Sequence, residues 1–337
     1  MKTYSNKQAL RGWRSALKDD PIPWLLEPEN PSARYLTLRH LLDSEEPDSQ
    51  VTQAREAIQA WLPVREILRL MAPVDFWGRA DRPFYGGPVG TAATLNLLAE
   101  LGLPRIPQVE AACENLFEHG QLESGAFTYD GTPDRLILCH NSAAIRTLVH
   151  FGYRGDPRLE RAIDYLAARC ATPAGLACPY AYDHACLYGI AKALAAFAAL
   201  PAAARSAERV HAVESLAAAA LDHAFDFDGA EAPWLAFGFP LNDTSDLVEL
   251  CDALARLSYG PHPRLQTLLG VMMSRQTDAG RWIKHRGSRA LEVEEKGEPS
   301  KWITLRALRA QKHAERAVVQ AEQIRLRDSE SWFVEAG

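Results

Sequence analysis

Two short phrases recur far apart in the chain, and this repetition limits the fold more than any other feature. Residues 31–41 read Pro-Ser-Ala-Arg-Tyr-Leu-Thr-Leu-Arg-His-Leu, and residues 299–308 read Pro-Ser-Lys-Trp-Ile-Thr-Leu-Arg-Ala-Leu, the same phrase with one residue deleted. Self-similarity of this kind is typical of a fold built from one repeated supersecondary unit. We therefore expect a repeat protein, and not two unrelated domains.

The second phrase is a glutamine, three residues, a glycine and then an aromatic residue two positions later. It begins at Gln121 and again at Gln276, and weaker versions surround Trp77, Gly175 and Trp234. Each version precedes a short polar or Gly/Pro-rich loop and then an apolar segment. These segments begin near Ser32, Pro88, Cys139, His184, Asn242 and Ser300, which indicates about six units.

Between these segments lie stretches with the 3.6-residue apolar period of an amphipathic helix. They cover residues 51–71, 106–118, 157–170, 205–225 and 263–275, and sustained period-2 alternation is missing from the sequence. Six antiparallel helix pairs bury all their apolar stripes when they close into a ring. We predict an all-α (α/α)6 toroid, with an N-terminal helix at residues 1–20 packed on a single toroid domain at residues 21–337.

Composition excludes several classes of function. The chain has 337 residues, 37 Lys+Arg against 43 Asp+Glu, and 47% hydrophobic residues, so its acidic net charge argues against nucleic acid as the main partner. Its richest apolar run, 191–204, is shorter than the roughly 18 residues of a membrane span and contains Lys192 and Pro201. The first 20 residues lack the apolar stretch of a signal peptide, and we expect a cytoplasmic protein with reduced cysteines.

The Gln-x3-Gly-x-aromatic phrase, repeated about every 50 residues before an inner helix, resembles the repeat of squalene cyclases and protein prenyltransferases. The chain is identified as similar to the prenyltransferase/squalene-oxidase repeat proteins over roughly residues 20–315. This resemblance implies the α/α toroid and a central cavity that binds an apolar, isoprenoid ligand. The loops that lead into the inner helices would converge on the mouth of that cavity.

Class II terpene cyclases protonate an alkene or epoxide with an aspartic acid in an Asp-x-Asp-Asp-Thr-Ala motif. The corresponding segment here is Pro240-Leu241-Asn242-Asp243-Thr244-Ser245-Asp246, in which Asn242 takes the place of the proton donor. An amide cannot protonate an alkene, so Asp243 and Asp246 become the candidate general acids. The alternative interpretation is structural, with Asp243 or Thr244 capping the helix that follows.

Zinc prenyltransferases of this fold use an Asp-x-Cys pair and a histidine from another inner helix, a ligand set that suits Zn²⁺. The resemblance therefore makes Asp183 and Cys186, together with His140 and His184, candidate zinc ligands. Asp183 and Cys186 are three positions apart instead of two. The alternative is that the cysteines are small packing residues and the histidines are hydrogen-bonded rim residues.

Aromatic and amide side chains near the starts of the inner helices are candidates for lining the ligand cavity, where aromatic faces would stabilise a carbocation. They are Tyr85, Tyr182, Trp234, Phe237, Phe239 and Asn242. The hypotheses from sequence are then three: an acid-initiated cyclase-like enzyme, a zinc-dependent prenyltransferase-like enzyme, and a non-catalytic toroid that binds a lipid or a partner protein.

Overall fold

The computed structural model describes residues 12–71, 76–132, 136–180, 184–204, 206–230, 232–287 and 292–335, with side chains up to residue 327. Its α-helices are α1 Ile22–Leu25, α2 Pro31–His40, α3 Ser49–Ala57, α4 Leu62–Arg69, α5 Thr91–Glu100, α6 Pro107–Gly120, α7 Leu138–His150, α8 Pro157–Cys170, α9 Leu187–Ala198, α10 Ala207–Leu221, α11 Leu247–Arg256, α12 Pro263–Ser274 and α13 Lys301–Glu335. Short 3-10 helices cover Trp13–Ala16, Gly87–Val89, Pro173–Leu176, Ala202–Ala204 and Ala232–Leu235. The strands β1 Trp282–Ile283 and β2 Pro299–Ser300 form one antiparallel ribbon.

The inner helices α2, α5, α7, α9, α11 and α13 form a closed ring. Each packs on the next, α5 on α7, α7 on α9, α9 on α11, α11 on α13 and α13 on α2. Ser32 at the start of α2 closes the circle, because its hydroxyl donates to the carbonyl of Leu101 directly after α5. The fold is thus the all-α toroid that the repeat predicts, with α3, α4, α6, α8, α10 and α12 outside the ring.

The inner helix α9 is apolar on nearly all sides because neighbouring elements cover it from both directions. In α9, every residue from Gly189 to Ala198 is buried, and Lys192 is the charged one among them. The outer helices show instead one buried stripe, as in α8, where Leu159, Ile163 and Leu166 are buried. This difference follows from their two positions in the ring.

The repeated phrase has a structural role that is the same in three units. The backbone N–H of the aromatic residue donates to a side chain in the first turns of the following inner helix. Trp77 N donates to Thr91 Oγ1 at 3.0 Å, and Trp282 N donates to Thr304 Oγ1 at 3.1 Å. The third case is Phe127 to Asn141 Oδ1, at 2.7 Å. The phrase therefore fixes each loop onto its inner helix.

The glutamine and the glycine of the phrase join one unit to the next. Gln121 Nε2 donates to the carbonyl of Arg158 in α8, and Gln276 Nε2 donates to that of Ala16. Gly280 has a φ of +66°, and a Cβ there would lie 2.1 Å from the carbonyl oxygen of Asp19. Only glycine allows this approach.

One of the predicted helices differs in the structure. The segment 51–71 is not one helix but two, α3 and α4, because Pro63 lacks the N–H that a continuous helix needs. Of the predicted N-terminal helix at 1–20, residues 1–11 lie outside the described residues, and the remainder contains Trp13–Ala16. Lys18 N in that remainder donates to Gln276 Oε1, so this part contacts the toroid.

Candidate functional site at the rim of the toroid

The first turns of α7 and α9 face the loop before α11 across a cavity of about 630 Å³. Most of its wall is apolar or aromatic. The lining residues are Tyr129, Ile137, Cys139, His140, Cys178, Tyr180, Ala185, Cys186, Leu187, Tyr188, Trp234 and Asp243. These residues come from four separate stretches of the chain that the toroid gathers at one rim.

His140 and Asp243 form a hydrogen-bonded pair in the wall of this cavity. His140 Nε2 lies 3.2 Å from Asp243 Oδ1, and the Asp243 side chain is 71% exposed. The imidazole stacks on Phe84, with ring centroids 5.6 Å apart, and lies 6.0 Å from the ring of Tyr129. The hydrogen bond from His140 lowers the pKa of Asp243, because it favours the carboxylate form.

A smaller cavity of about 170 Å³ adjoins it beside α5 and α7, and Asn242 lies in its wall. It shares Tyr129, His140 and Asp243 with the larger cavity. The His140–Asp243 pair thus lies where the two cavities meet. A ligand in either one would contact it.

Asp246 caps α11. Its Oδ1 accepts from the backbone N–H of Glu249 and its Oδ2 accepts from that of Gly238, both at 2.9 Å. The side chain is buried, lines neither rim cavity, and burial raises its pKa. The capping interpretation from sequence was wrong about the residue, since Asp246, and not Asp243 or Thr244, provides the cap.

The aromatic candidates separate into two groups. Trp234 lines the larger cavity next to Tyr188, with ring centroids 5.1 Å apart, and Tyr85 is 44% exposed beside Tyr129. Phe237 and Phe239 are fully buried. Phe239 stacks on Trp302 at 4.7 Å, whereas Phe237 packs edge-on against His285.

Tyr182 lies outside the described residues, so its place in the wall stays a prediction. Sequence reasoning did not select Tyr129 and Tyr188 for the wall. Tyr188 could have been found from its place in the first turn of an inner helix, two residues after Cys186. Tyr129 follows the repeated phrase by two positions, but nothing in its neighbourhood distinguishes it from the other aromatic residues.

The residues predicted to bind zinc are brought together only in part. Cys186 and His140 line the same cavity, His184 is exposed, and Asp183 lies outside the described residues. No group of three His, Cys, Asp or Glu residues that could hold a metal ion occurs in the described ranges. Burial raises the pKa of Cys139 to about 12 and also raises that of Cys186, which opposes the thiolate form that zinc requires. The described residues therefore do not fit a zinc ion.

No protein-family model and no curated protein matches the chain. Solved structures that resemble it include a variant of the type II terpene cyclase MstE from Scytonema in complex with its substrate, geranylgeranyl dihydroxybenzoate. That structure has 15% sequence identity and a TM-score of 0.28, and the match covers 78% of this chain and 96% of the other. A second MstE variant, in complex with the product merosterolic acid A, has 14% sequence identity and a TM-score of 0.30. That match covers 78% of this chain and 97% of the other. The fold assignment rests on the closed ring of inner helices described above.

A search of the described helices finds none that is long and apolar enough to cross a bilayer.

Proposed function

We propose that the rim cavity binds an apolar isoprenoid ligand and that Asp243, assisted by His140, protonates it to start a cyclisation. The observation that carries this proposal is the combination of a cavity of about 630 Å³ with a mostly apolar and aromatic wall and a single His–Asp pair. Apolar walls with a few polar groups are typical of small-molecule sites. The pair supplies the acid that such a reaction needs.

The pairing with His140 makes Asp243 a stronger acid. Because the imidazole N–H stabilises the carboxylate on Oδ1, a proton on Oδ2 is given up more readily. A bound apolar ligand would displace water from Asp243, and desolvation favours the protonated form before the transfer. The two effects act at different stages, first to load the proton and then to release it.

The reaction balances as an isomerisation. The carboxyl proton of Asp243 forms a C–H bond with the electron pair of a terminal alkene, and the adjacent carbon becomes a cation. An internal alkene attacks this cation and closes a ring, and loss of a proton to the Asp243 carboxylate ends the sequence. The faces of Tyr129, Tyr188 and Trp234 in the cavity wall would stabilise the positive charge through cation–π contacts.

The test is incubation of the purified protein with linear polyprenyl compounds, followed by gas chromatography and mass spectrometry of the extracted products. We expect Asp243→Asn to abolish the cyclic product while ligand binding, followed by tryptophan fluorescence, is retained. Asp278→Asn is the matched control, because the Asp278 side chain is fully exposed and lines neither rim cavity. Unchanged turnover in Asp243→Asn would refute the assignment of the acid.

The same experiment distinguishes the cyclase from the alternative of a non-catalytic protein that only binds the ligand. That alternative predicts saturable binding with no product from the unchanged protein, and it is favoured by Asn242 at the position of the donor aspartate. Trp234→Ala should weaken binding in both cases, because Trp234 lines the cavity. If Trp234→Ala leaves affinity unaltered, the ligand does not bind at the rim.

A further inference from the structure

The wall of the smaller cavity, beside α5 and α7, contains the amide of Asn96. Asn96 belongs to α5 and is 3% exposed. Buried polar groups of native proteins are almost always hydrogen-bonded, because a buried donor or acceptor without a partner is costly. The directions of the two polar atoms of this amide therefore decide what the cavity can hold.

The orientation of the Asn96 amide is fixed by two donors. Arg146 Nη2 donates to Asn96 Oδ1 at 3.1 Å, and Thr147 Oγ1 donates to the same oxygen at 3.4 Å. A guanidinium can only donate, so the atom that faces it must be the oxygen. The amide nitrogen, Nδ2, then points away from Arg146.

Arg146 and Asn96 lie in the walls of two different cavities. Arg146 lines the inner cavity, a charged space that Glu249 and Asp252 also line, whereas Asn96 lines the smaller cavity. Among the described residues Asn96 Nδ2 has no acceptor, and it is not one of the fully enclosed side-chain atoms. Nδ2 is therefore a free donor that faces the smaller cavity.

The charges around the cavity favour a neutral acceptor. The Asp243 carboxylate lies in the same wall and would repel an anion. Arg146 contacts Glu100 and Glu249, the latter at 3.1 Å, so its charge is compensated. The hydrogen bond from Arg146 still polarises the Asn96 amide, which makes its N–H groups better donors.

The size and the wall of the cavity indicate more than a bound water. One water occupies about 30 Å³ of the liquid, and a cavity of about 150 Å³ is large enough for a benzene ring. The smaller cavity has about 170 Å³, and the alanines Ala92, Ala93, Ala143 and Ala144 line it together with the ring of Phe84. This surface suits a compact apolar group that carries one acceptor.

We propose that the smaller cavity binds a neutral, ring-sized group whose carbonyl oxygen accepts from Asn96 Nδ2. Because this cavity meets the rim cavity at the His140–Asp243 pair, an isoprenoid ligand bent at that pair would place such a group beside Asn96 and its chain against the rim wall. In that respect the proposal rests on the proposed function. The Asn96 site itself is tested alone, with a probe that has no isoprenoid chain.

The probe is cyclohexanone, and methylenecyclohexane is the compound of the same shape without an acceptor. Dissociation constants are measured by ligand-observed nuclear magnetic resonance at pH 7.5. We expect cyclohexanone to bind about tenfold more tightly than methylenecyclohexane, the value of one hydrogen bond to an otherwise unpaired donor. Cyclohexanecarboxylate should bind more weakly than cyclohexanone, because Asp243 repels it.

Three results would overturn the proposal. Equal affinities for cyclohexanone and methylenecyclohexane would show that Asn96 does not donate to the ligand. Tighter binding of cyclohexanol or of cyclohexanecarboxylate would refute the neutral carbonyl. No binding of any of these probes would mean that the cavity holds water.

Asn96→Asp tests the contact itself. It keeps an oxygen for Arg146 and Thr147 and replaces the donor Nδ2 by a second oxygen, so the preference for cyclohexanone over methylenecyclohexane should disappear. Asn115→Asp on α6 is the matched control and should retain the preference, because Asn115 lines neither cavity and donates to the carbonyl of Ala80. A retained preference in Asn96→Asp would refute the assigned contact.

If Asn96→Asp does not fold, Ala143→Leu replaces it. The larger side chain fills the smaller cavity and should abolish cyclohexanone binding, and retained binding refutes the site. The outcome is separable from that of the proposed function. Cyclohexanone binding that depends on Asn96, without a cyclic product from polyprenyl compounds, would refute the cyclisation alone, whereas a cyclic product without cyclohexanone binding would refute the carbonyl site alone.

Discussion

The rim cavity and the inner cavity lie in the same ring of helices, yet the rim wall is mostly apolar and aromatic and the inner wall is rich in charged side chains. The rim cavity is bordered by loops and first turns and contains the hydrogen-bonded pair His140–Asp243, whose carboxylate side chain is 71% exposed. The inner cavity, of about 350 Å³, is lined by side chains of all six inner helices, and its carboxylates Glu249 and Asp252 are 3% and 5% exposed. The difference shows that one fold can supply an apolar site and a charged site within a short distance.

The position of each site along the inner helices explains part of this contrast. Helix amino termini carry partial positive charge and carboxyl termini partial negative charge, so a cation is favoured at the carboxyl end of a helix. Arg256, for example, donates to the carbonyl of Ala198 at the end of α9, over 2.8 Å. The rim instead receives its side chains from loops, which tolerate variation in sequence.

The largest effect on stability should come from Lys192→Met, which removes the ammonium group from the buried charge network of the inner cavity. Glu249, whose side chain is 3% exposed, would lose its ammonium partner, and removal of one member of a buried pair costs about 3–5 kcal/mol. Urea unfolding followed by circular dichroism measures this loss. Arg69→Met, at an exposed pair with Glu66, is the control and should cost under about 1 kcal/mol. A loss of the same size in both variants would contradict the prediction.

Acid should destabilise the inner cavity through its buried carboxylates. Its arginine and lysine partners overcome the effect of burial and lower the pKa values of Glu249 and Asp252 to about 2. Because these values lie below those of the unfolded chain, the stability they contribute is present above about pH 5 and is lost as the pH falls toward 2. The expected loss is about 2–3 kcal/mol for each carboxylate.

Denaturant midpoints at several pH values between 6 and 2.5 measure this slope. Asp252→Asn should be less stable at pH 7 and should show a shallower decline below pH 5, since its titration has been removed. A decline as steep as that of the unchanged protein would show that Asp252 does not contribute.

Cysteine labelling compares access to the two regions without changing stability. Cys186 lines the rim cavity and is partly exposed, whereas Cys251 on α11 is fully buried, and burial raises the pKa of both thiols. At pH 8.5 iodoacetamide should alkylate Cys186 at least about tenfold faster than Cys251. Mass spectrometry of the digested protein follows both sites. Faster labelling of Cys251 would mean that the ring opens in solution.

The smallest effect on stability should come from Asp243→Asn, although the same variant should abolish turnover. The carboxylate is mostly exposed and its side-chain partner among the described residues is a histidine, so the free energy of unfolding should change by less than about 1 kcal/mol. Chemical denaturation at pH 7 measures it. A loss of several kcal/mol would indicate that Asp243 supports the rim structurally.

Much of the architecture could be predicted from local patterns. The six inner helices begin within five residues of the predicted positions, for example Leu138 against Cys139 and Leu247 against Asn242, because glycine, proline and the apolar period act locally. Pro63 also indicates the division of α3 from α4, but the apolar period continues on both sides of it and led to the prediction of one helix. The N-cap of α11 was harder to predict, since Asp243, Thr244 and Asp246 are all good capping residues. Asp246 is selected by a tertiary contact, because its second carboxylate oxygen also accepts from the backbone N–H of Gly238.

The amino-acid sequence by itself determined the repeated helical hairpins, since the repeated phrases and the helical apolar period are properties of neighbouring residues. It also placed His140 and Asp243 each near the start of an inner helix. Only the tertiary structure decided that these two side chains, 103 positions apart, meet at 3.2 Å, and that Lys192, Arg146 and Arg306 surround the carboxylates inside the ring. Such contacts depend on how the ring closes, because the angle between successive hairpins is set by the packing of the whole core.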